Sequence, residues 1–272
     1  MSELPFPQTA SPPDPLSLSG EGEKEEPVSG DHFSDHAADY AKARPAYPPE
    51  LYQWLAGLAP ARDVVWDAGC GSGQASVALA EHFIRVVATD ISPQQIAEAK
   101  LHDRVEYSAH DEATCPLEPA SCDLVTAAQA AHWFDLVAFV AECRRVLKPR
   151  GVVAIWGYGL TKLATEIDVE VQRFYTDEVG PFWPSGREHL DDEYRDLELK
   201  LEPIDPPPFA MTVTWDLAAF ATYLSTWSAV QRYIKAKGED PIPPLVERLS
   251  PVWGPGPRVV SWPLYLRVGR LP

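Results

Sequence analysis

Apolar residues in this chain come in short runs, each closed by a small or acidic residue and followed by a stripe at helical spacing. Val64-Val65-Trp66 is such a run and stops at Asp67. Ala75, Ala78, Leu79 and Phe83 then fall at i, i+3, i+4 and i+8, one face of an amphipathic helix. Val86-Val87-Ala88 is a second buried-strand run, ending at Asp90. Ser92-Pro93-Gln94-Gln95 reads as a helix start, with Ser as N-cap, Pro at the first helical position and Gln at N3 closing a capping box. Val105-Glu106-Tyr107 and Asp123-Leu124-Val125-Thr126 are a third and a fourth strand. Leu136, Phe139, Val140, Cys143 and Leu147 form another helical stripe, stopped by Lys148-Pro149-Arg150-Gly151 before a fifth strand over 152–156.

Strands and helices in regular alternation predict an α/β fold: a Rossmann-like doubly wound sheet, mostly parallel, with helices on both faces. Ligands of such sheets sit beyond the carboxyl ends of the strands, near the point where strand order reverses. Asp67, the glycines after it, Asp90 and the segment after Thr126 all fall at strand ends and are expected to line one crevice. Beyond Gly157 the pattern loosens. Residues 165–179 read as helix, 181–210 as an irregular stretch rich in Pro and charge, 211–215 as strand and 216–236 as helix. A last strand runs from Val259 to Val268 with Pro263 inside it, and Pro confines a strand to an edge or a bulge. The two late strands are expected to form an antiparallel edge hairpin, with a helical cap over the crevice.

Composition adds a tail and removes several classes. Residues 1–30 carry six prolines and six acids against one Lys, with few large apolar residues, and so read as a disordered acidic Pro-rich tail. The remaining 31–272 read as a single domain: an N-terminal arm and helix over 31–60, a cofactor-binding core over 61–160, then the cap insert and C-terminal strands over 161–272. The 40 acidic against 23 basic side chains leave −17, a field that repels phosphate backbones and anionic membranes, so no nucleic-acid or membrane partner is expected. Without a signal segment or a long apolar span, a cytoplasmic protein is expected. The four cysteines, at 70, 115, 122 and 143, form no CxxC pair and read as reduced thiols. No His, Cys and carboxylate cluster has metal-ligand spacing, so no metal is expected.

Gly69-Cys70-Gly71-Ser72-Gly73 carries the chemistry. Glycines let the backbone turn tightly and approach a ligand, and the helix that follows offers unpaired N–H groups. A dinucleotide fingerprint would need a third glycine to seat the helix, but Gln74 or Ser76 stands there, depending on the glycine counted from. Asp90 follows Gly69 by 21 residues, a spacing that suits a carboxylate accepting both hydroxyls of a ribose.

Val64 to Gly73 resembles the first motif of class I S-adenosylmethionine-dependent methyltransferases, and Thr89-Asp90-Ile91-Ser92-Pro93 resembles their second. Cys122-Asp123-Leu124-Val125, His132-Trp133-Phe134-Asp135 and Arg145 to Gly151 resemble the later ones. The likeness is nearest to a small-molecule branch that includes trans-aconitate methyltransferase-like and quinone-biosynthesis methyltransferase-like proteins. It implies S-adenosyl-L-methionine as cofactor. Asp67 and the backbone of Gly69, Cys70, Gly71, Ser72 and Gly73 would hold its methionyl part, Asp90 its ribose and Ile91 the adenine face. Either Asp111 or Glu112 would meet the adenine amine, and Gln129 would face the sulfonium region. Tyr40 and Arg44 match an arm pattern, Tyr-x-x-x-Arg-Pro-x-Tyr-Pro, that folds over the cofactor.

His132 is the candidate base or orienter near the transferable methyl, and Arg187 the candidate clamp for a substrate acid, in an insert with Trp183 and Tyr194. The reaction implied is in-line methyl transfer to a small molecule, with a carboxylic acid favoured by the likeness. Ala127-Ala128-Gln129-Ala130 stands where methylation of DNA amines would need an Asn/Asp-Pro-Pro-Tyr motif. A non-catalytic cofactor-binding protein and an NAD-linked oxidoreductase remain as the other readings, and oligomeric state is left open.

Overall fold

The computed structural model describes residues 45–197 and 199–272. The tail expected over 1–30 and the arm residues Tyr40 and Arg44 lie outside them. In chain order the elements are α1 (Pro49–Leu58), β1 (Val64–Ala68), α2 (Gln74–Ala80), β2 (Arg85–Asp90), α3 (Pro93–Ala97), β3 (Val105–Ala109) and β4 (Cys122–Ala128). A short 3-10 turn, Ala131–Trp133, leads into α4 (Leu136–Val146) and β5 (Leu147–Tyr158). Then come α5 (Thr165–Arg173), a π-helical turn (Phe174–Glu178), another 3-10 turn (Gly180–Phe182), α6 (Glu188–Asp191), β6 (Glu202–Pro203), β7 (Ala210–Trp215), α7 (Leu217–Ser225), α8 (Ser228–Lys237), α9 (Ile242–Trp253) and β8 (Arg258–Arg270).

The strands form one mixed sheet in the order β3-β2-β1-β4-β5-β8, with β6 and β7 both pairing with β8. β1 to β5 are parallel and β8 runs antiparallel to β5, so the mostly parallel sheet with an antiparallel edge is as expected. Strand order reverses between β1 and β4, which puts the crevice at the ends of those two strands. Apolar side chains pack on both faces. One layer joins α1, α2 and the late helices around Trp156 and Trp262, and the other joins α4 around Trp66 and Phe139.

Four local readings differ from the structure. The box at Ser92 is half made: its hydroxyl accepts from the Gln95 N–H, but the Ser92 N–H donates to Asp90, which leaves nothing for the Gln95 side chain to close. β5 begins at Leu147, because Lys148 to Gly151 form an irregular start to the strand, with Arg150 at φ +68°, instead of a separate loop. The helix expected over 216–236 is two, broken before Ser228, and α9 was not expected at all. β8 is paired on both sides despite Pro263. Its pairing with β5 ends at Leu264 and the Lys162–Ser261 bridge follows, so the missing N–H falls in the gap.

Candidate functional site

The site begins in the turn after β1. Gly69 sits at φ +64°, and a Cβ there would stand 2.5 Å from the Ala130 Cβ, so this backbone presses on the segment after β4. Gly71 also has positive φ, but its Cβ would meet nothing nearer than Gln95 Oε1 at 3.8 Å. The loop is therefore closed toward Ala130 and open at Gly71. The Cys70 N–H donates to the Thr89 carbonyl at 2.9 Å, which ties the loop to β2, and Gly73 starts α2. Asp90 spans loop and helix: its Oδ2 accepts from the Gly71 N–H at 2.8 Å and its Oδ1 from the Ser92 N–H at 2.9 Å. Both oxygens keep further acceptor capacity.

Asp67 is fully buried. Its Oδ2 accepts from the Ser76 hydroxyl at 2.6 Å and its Oδ1 from the Thr126 hydroxyl at 2.8 Å. Burial pushes its pKa up to about 6 against the pull of those two hydrogen bonds. The carboxyl thus braces β1 against α2 and β4, and the backbone after it faces the crevice.

Ile91 stands 57% exposed, an apolar side chain at the crevice with an uncovered face. Asp111 and Glu112 part ways. Asp111 is exposed and, among the described residues, uses only Oδ1, on the Ala113 N–H and the Thr114 hydroxyl. Glu112 reaches across to accept from the Asp135 N–H at 2.7 Å, at the start of α4. Gln129 sits at φ +55° and copies a backbone unit: its amide donates to the Tyr158 carbonyl and accepts from the Tyr158 N–H, so it closes the end of β5.

Past Gln129 a cavity opens under the late helices. It is lined by His132 and Trp133 from the turn after β4, Tyr158 from β5, Trp183 and Arg187 from the irregular insert, and Tyr223 and Trp227 from α7 and its junction with α8. The structure therefore brings the two expected acceptor-side residues, His132 and Arg187, into one cavity. The Arg187 guanidinium lies over the Trp183 ring, 4.1 Å from its centroid, and its Nε donates to the Tyr175 hydroxyl at 2.9 Å. That hydroxyl in turn donates to Asp191. The remaining Arg187 N–H groups have no partner among the described residues. His132 Nδ1 lies 2.9 Å from the Tyr194 hydroxyl. Burial, then the charges of Arg187 and His189, push the His132 pKa down to about 3, so the ring is neutral near pH 7. Tyr158, Tyr175 and Tyr223 were not anticipated. They come from three separate elements, and only the fold brings them together. Among the described residues, no group of three or more His, Cys, Asp or Glu could hold a metal ion, and all four cysteines are free.

Known proteins are similar to this chain in sequence and fold. Residues 66–155 match a family described as a methyltransferase domain. A protein of Dictyostelium discoideum named as a methyltransferase is 35% identical over 223 residues, which cover 80% of this chain and 85% of that one. The chain belongs to the class I S-adenosylmethionine-dependent methyltransferases. A solved structure from Anaeromyxobacter dehalogenans, named as a type II methyltransferase, is 44% identical with a TM-score of 0.80, covering 84% of this chain and 99% of that one. A Mycolicibacterium smegmatis protein named as S-adenosylmethionine-dependent is 33% identical over 132 residues, about half of each chain. The methyltransferase family is thus shared with relatives across most of the chain, and the relative named for its cofactor matches about half of it. Among these residues no helix is long and apolar enough to cross a membrane.

Proposed function

We propose that this methyltransferase acts on a small molecule that carries a carboxylate on an apolar body, seated in the cavity between Gln129 and Arg187. One observation carries the reading. Arg187 is a planar cation held over the Trp183 ring, with N–H groups that have no partner among the described residues, in a cavity whose other walls are mostly aromatic. A guanidinium so held matches a carboxylate in two parallel hydrogen bonds, and the aromatic walls match an apolar body.

The cofactor groove supports the same reading. The opening at Gly71 leaves room for backbone contact with the methionyl part, with Asp67 bracing the loop from behind. Cys70, Ser72 and Gly73 complete the loop. Asp90 has acceptor capacity left for a ribose, and the uncovered face of Ile91 suits adenine. Between Asp111 and Glu112, Asp111 is the partner for the adenine amine, because its Oδ2 has no partner among the described residues whereas Glu112 is engaged on α4. S-adenosylmethionine supplies a methyl group already activated on a sulfonium. The chain's own task is then to align the acceptor oxygen and exclude water. A carboxylate is ionised at neutral pH and needs no base.

The test is labelled-methyl transfer to small aromatic and branched carboxylic acids, with their amides as controls. Arg187→Met is expected to raise KM for an accepted acid by roughly 10- to 100-fold, in line with a lost charge-assisted pair. Its affinity for S-adenosylhomocysteine should stay unchanged. Methylation of uncharged acceptors only, unaffected by Arg187→Met, would defeat the reading.

A further inference from the structure

His132 and Tyr194 form a unit that the methyl-transfer reading leaves without a task. We propose that Tyr194 is a positioning residue that holds His132 as the neutral ring protonated on Nε2, so that His132 offers the acceptor's anionic oxygen an N–H donor beside Arg187.

The argument starts at the Tyr194 hydroxyl. Tyr194 is fully buried, and His132 Nδ1 at 2.9 Å is its hydroxyl's partner. No other group among the described residues accepts that O–H. If Nδ1 carried the ring proton, it would donate to the phenol oxygen and leave a buried O–H with no acceptor. That arrangement is disfavoured by roughly 5- to 150-fold. The hydroxyl therefore donates, Nδ1 accepts, and the proton of a neutral imidazole stands on Nε2. His132 lines the cavity, and its Nε2 has no protein partner among the described residues.

The arrangement is built with some strain. Glu193 and Tyr194 are consecutive non-glycine residues at φ +56° and +58°, in the left-handed region. A pair of this kind persists only where surrounding packing enforces it. Gly157 of β5 supplies part of that packing, since a Cβ there would stand 2.9 Å from the Tyr194 ring. The charges facing the imidazole are Arg187 and His189, and both oppose a second proton on it. Burial also holds the Tyr194 phenol well above its ordinary pKa, so its proton stays in place. His132 is accordingly neither a cationic clamp nor a base: one nitrogen is engaged and the other already carries its proton. The identity of the group it donates to rests on the acceptor cavity proposed above, whereas its protonation state does not.

Nitrogen NMR of the full chain labelled at histidine tests the ring directly, with His132→Gln assigning the signal. The expected spectrum has Nε2 protonated and Nδ1 unprotonated, unchanged between about pH 5.5 and 8.5. Tyr194→Phe removes only the hydroxyl and is expected to give a His132 signal averaged over both tautomers. A ring protonated on Nδ1, a ring that titrates in that range, or a Tyr194→Phe spectrum identical to the parent's would overturn the proposal. Phenylacetate, titrated into the complex with S-adenosylhomocysteine, separates this outcome from the acceptor reading. Affinity constant to within about 2-fold between pH 6 and 8 supports a neutral donor, and affinity that falls as pH rises would mean a cation and overturn it. No phenylacetate binding beside the expected spectrum would overturn the carboxylate cavity, and with it the role of His132 toward the acceptor, while the ring state would stand.

Discussion

Asp67 and Asp90 sit at the ends of neighbouring strands, and their environments set them apart. Asp67 is sealed in, and burial raises its pKa from 3.8 to about 6. The native state therefore binds that proton more tightly than the unfolded chain does. The contribution of this group to stability is greatest below about pH 4 and is lost as pH rises through about 6, a swing of about 3 kcal/mol. Asp67→Asn removes the ionisation. Its stability relative to the parent, measured by urea unfolding, should rise by up to that amount between pH 4 and 7.5. A difference that stays flat across this range would mean that the carboxyl titrates normally. Asp90 is only half-buried and keeps acceptor capacity toward the crevice. Asp90→Ala should weaken S-adenosylhomocysteine binding by about 1.5–3 kcal/mol, the worth of hydrogen bonds to a charged group. Calorimetry checks this, and unchanged affinity in a folded variant would remove Asp90 from the cofactor site.

At the scale of elements, the start of α4 matters most for the site, because the His132 turn runs straight into it. Asp135 is the cap: its Oδ1 accepts from the Val137 and Ala138 N–H groups at 3.0 and 3.1 Å, while its own N–H donates to Glu112. Asp135→Ala should cost about 1 kcal/mol, read as a lowered urea midpoint with unchanged slope. A loss below a few tenths would show that Glu112 alone secures this end. The same contrast between local and distant partners explains what the sequence reveals. β1 to β4, α2 and α4 are legible because each carries its own period, and the strand-end residues Asp67, Asp90 and Gln129 are legible because strand ends define the crevice. α9 is hidden by Pro243, Pro244 and Pro251, which read as breakers. The first two stand in the first turn, where a missing N–H removes no helical bond, and Ile242, Leu245, Leu249 and Trp253 still present a buried stripe. The tyrosine walls of the cavity are hidden for a different reason: Tyr158 and Tyr223 reach it from elements far apart in the chain, and no local pattern encodes such a meeting.

The whole molecule is expected to respond to its cofactor as one cooperative unit, because the crevice joins elements from both packed layers. Gly71 and Asp90 are fixed to β1 and β2, and Asp67 fastens α2 and β4 to the same strand. A ligand held across these elements binds the native state alone, so it stabilises the fold by mass action. At a hundred times its Kd, S-adenosylhomocysteine should add about 2.7 kcal/mol. For a domain of this size that is a rise of roughly 5–10 °C in Tm, growing with ligand concentration. NADH should give no rise, because the third glycine of the dinucleotide loop is missing. Arg187→Met should leave the rise intact, because Arg187 lies in the acceptor cavity, while Asp90→Ala should shrink it. A protein that unfolds cooperatively yet shows no shift with S-adenosylhomocysteine would overturn the assigned groove. A shift abolished by Arg187→Met would instead mean that cofactor and acceptor share the cavity.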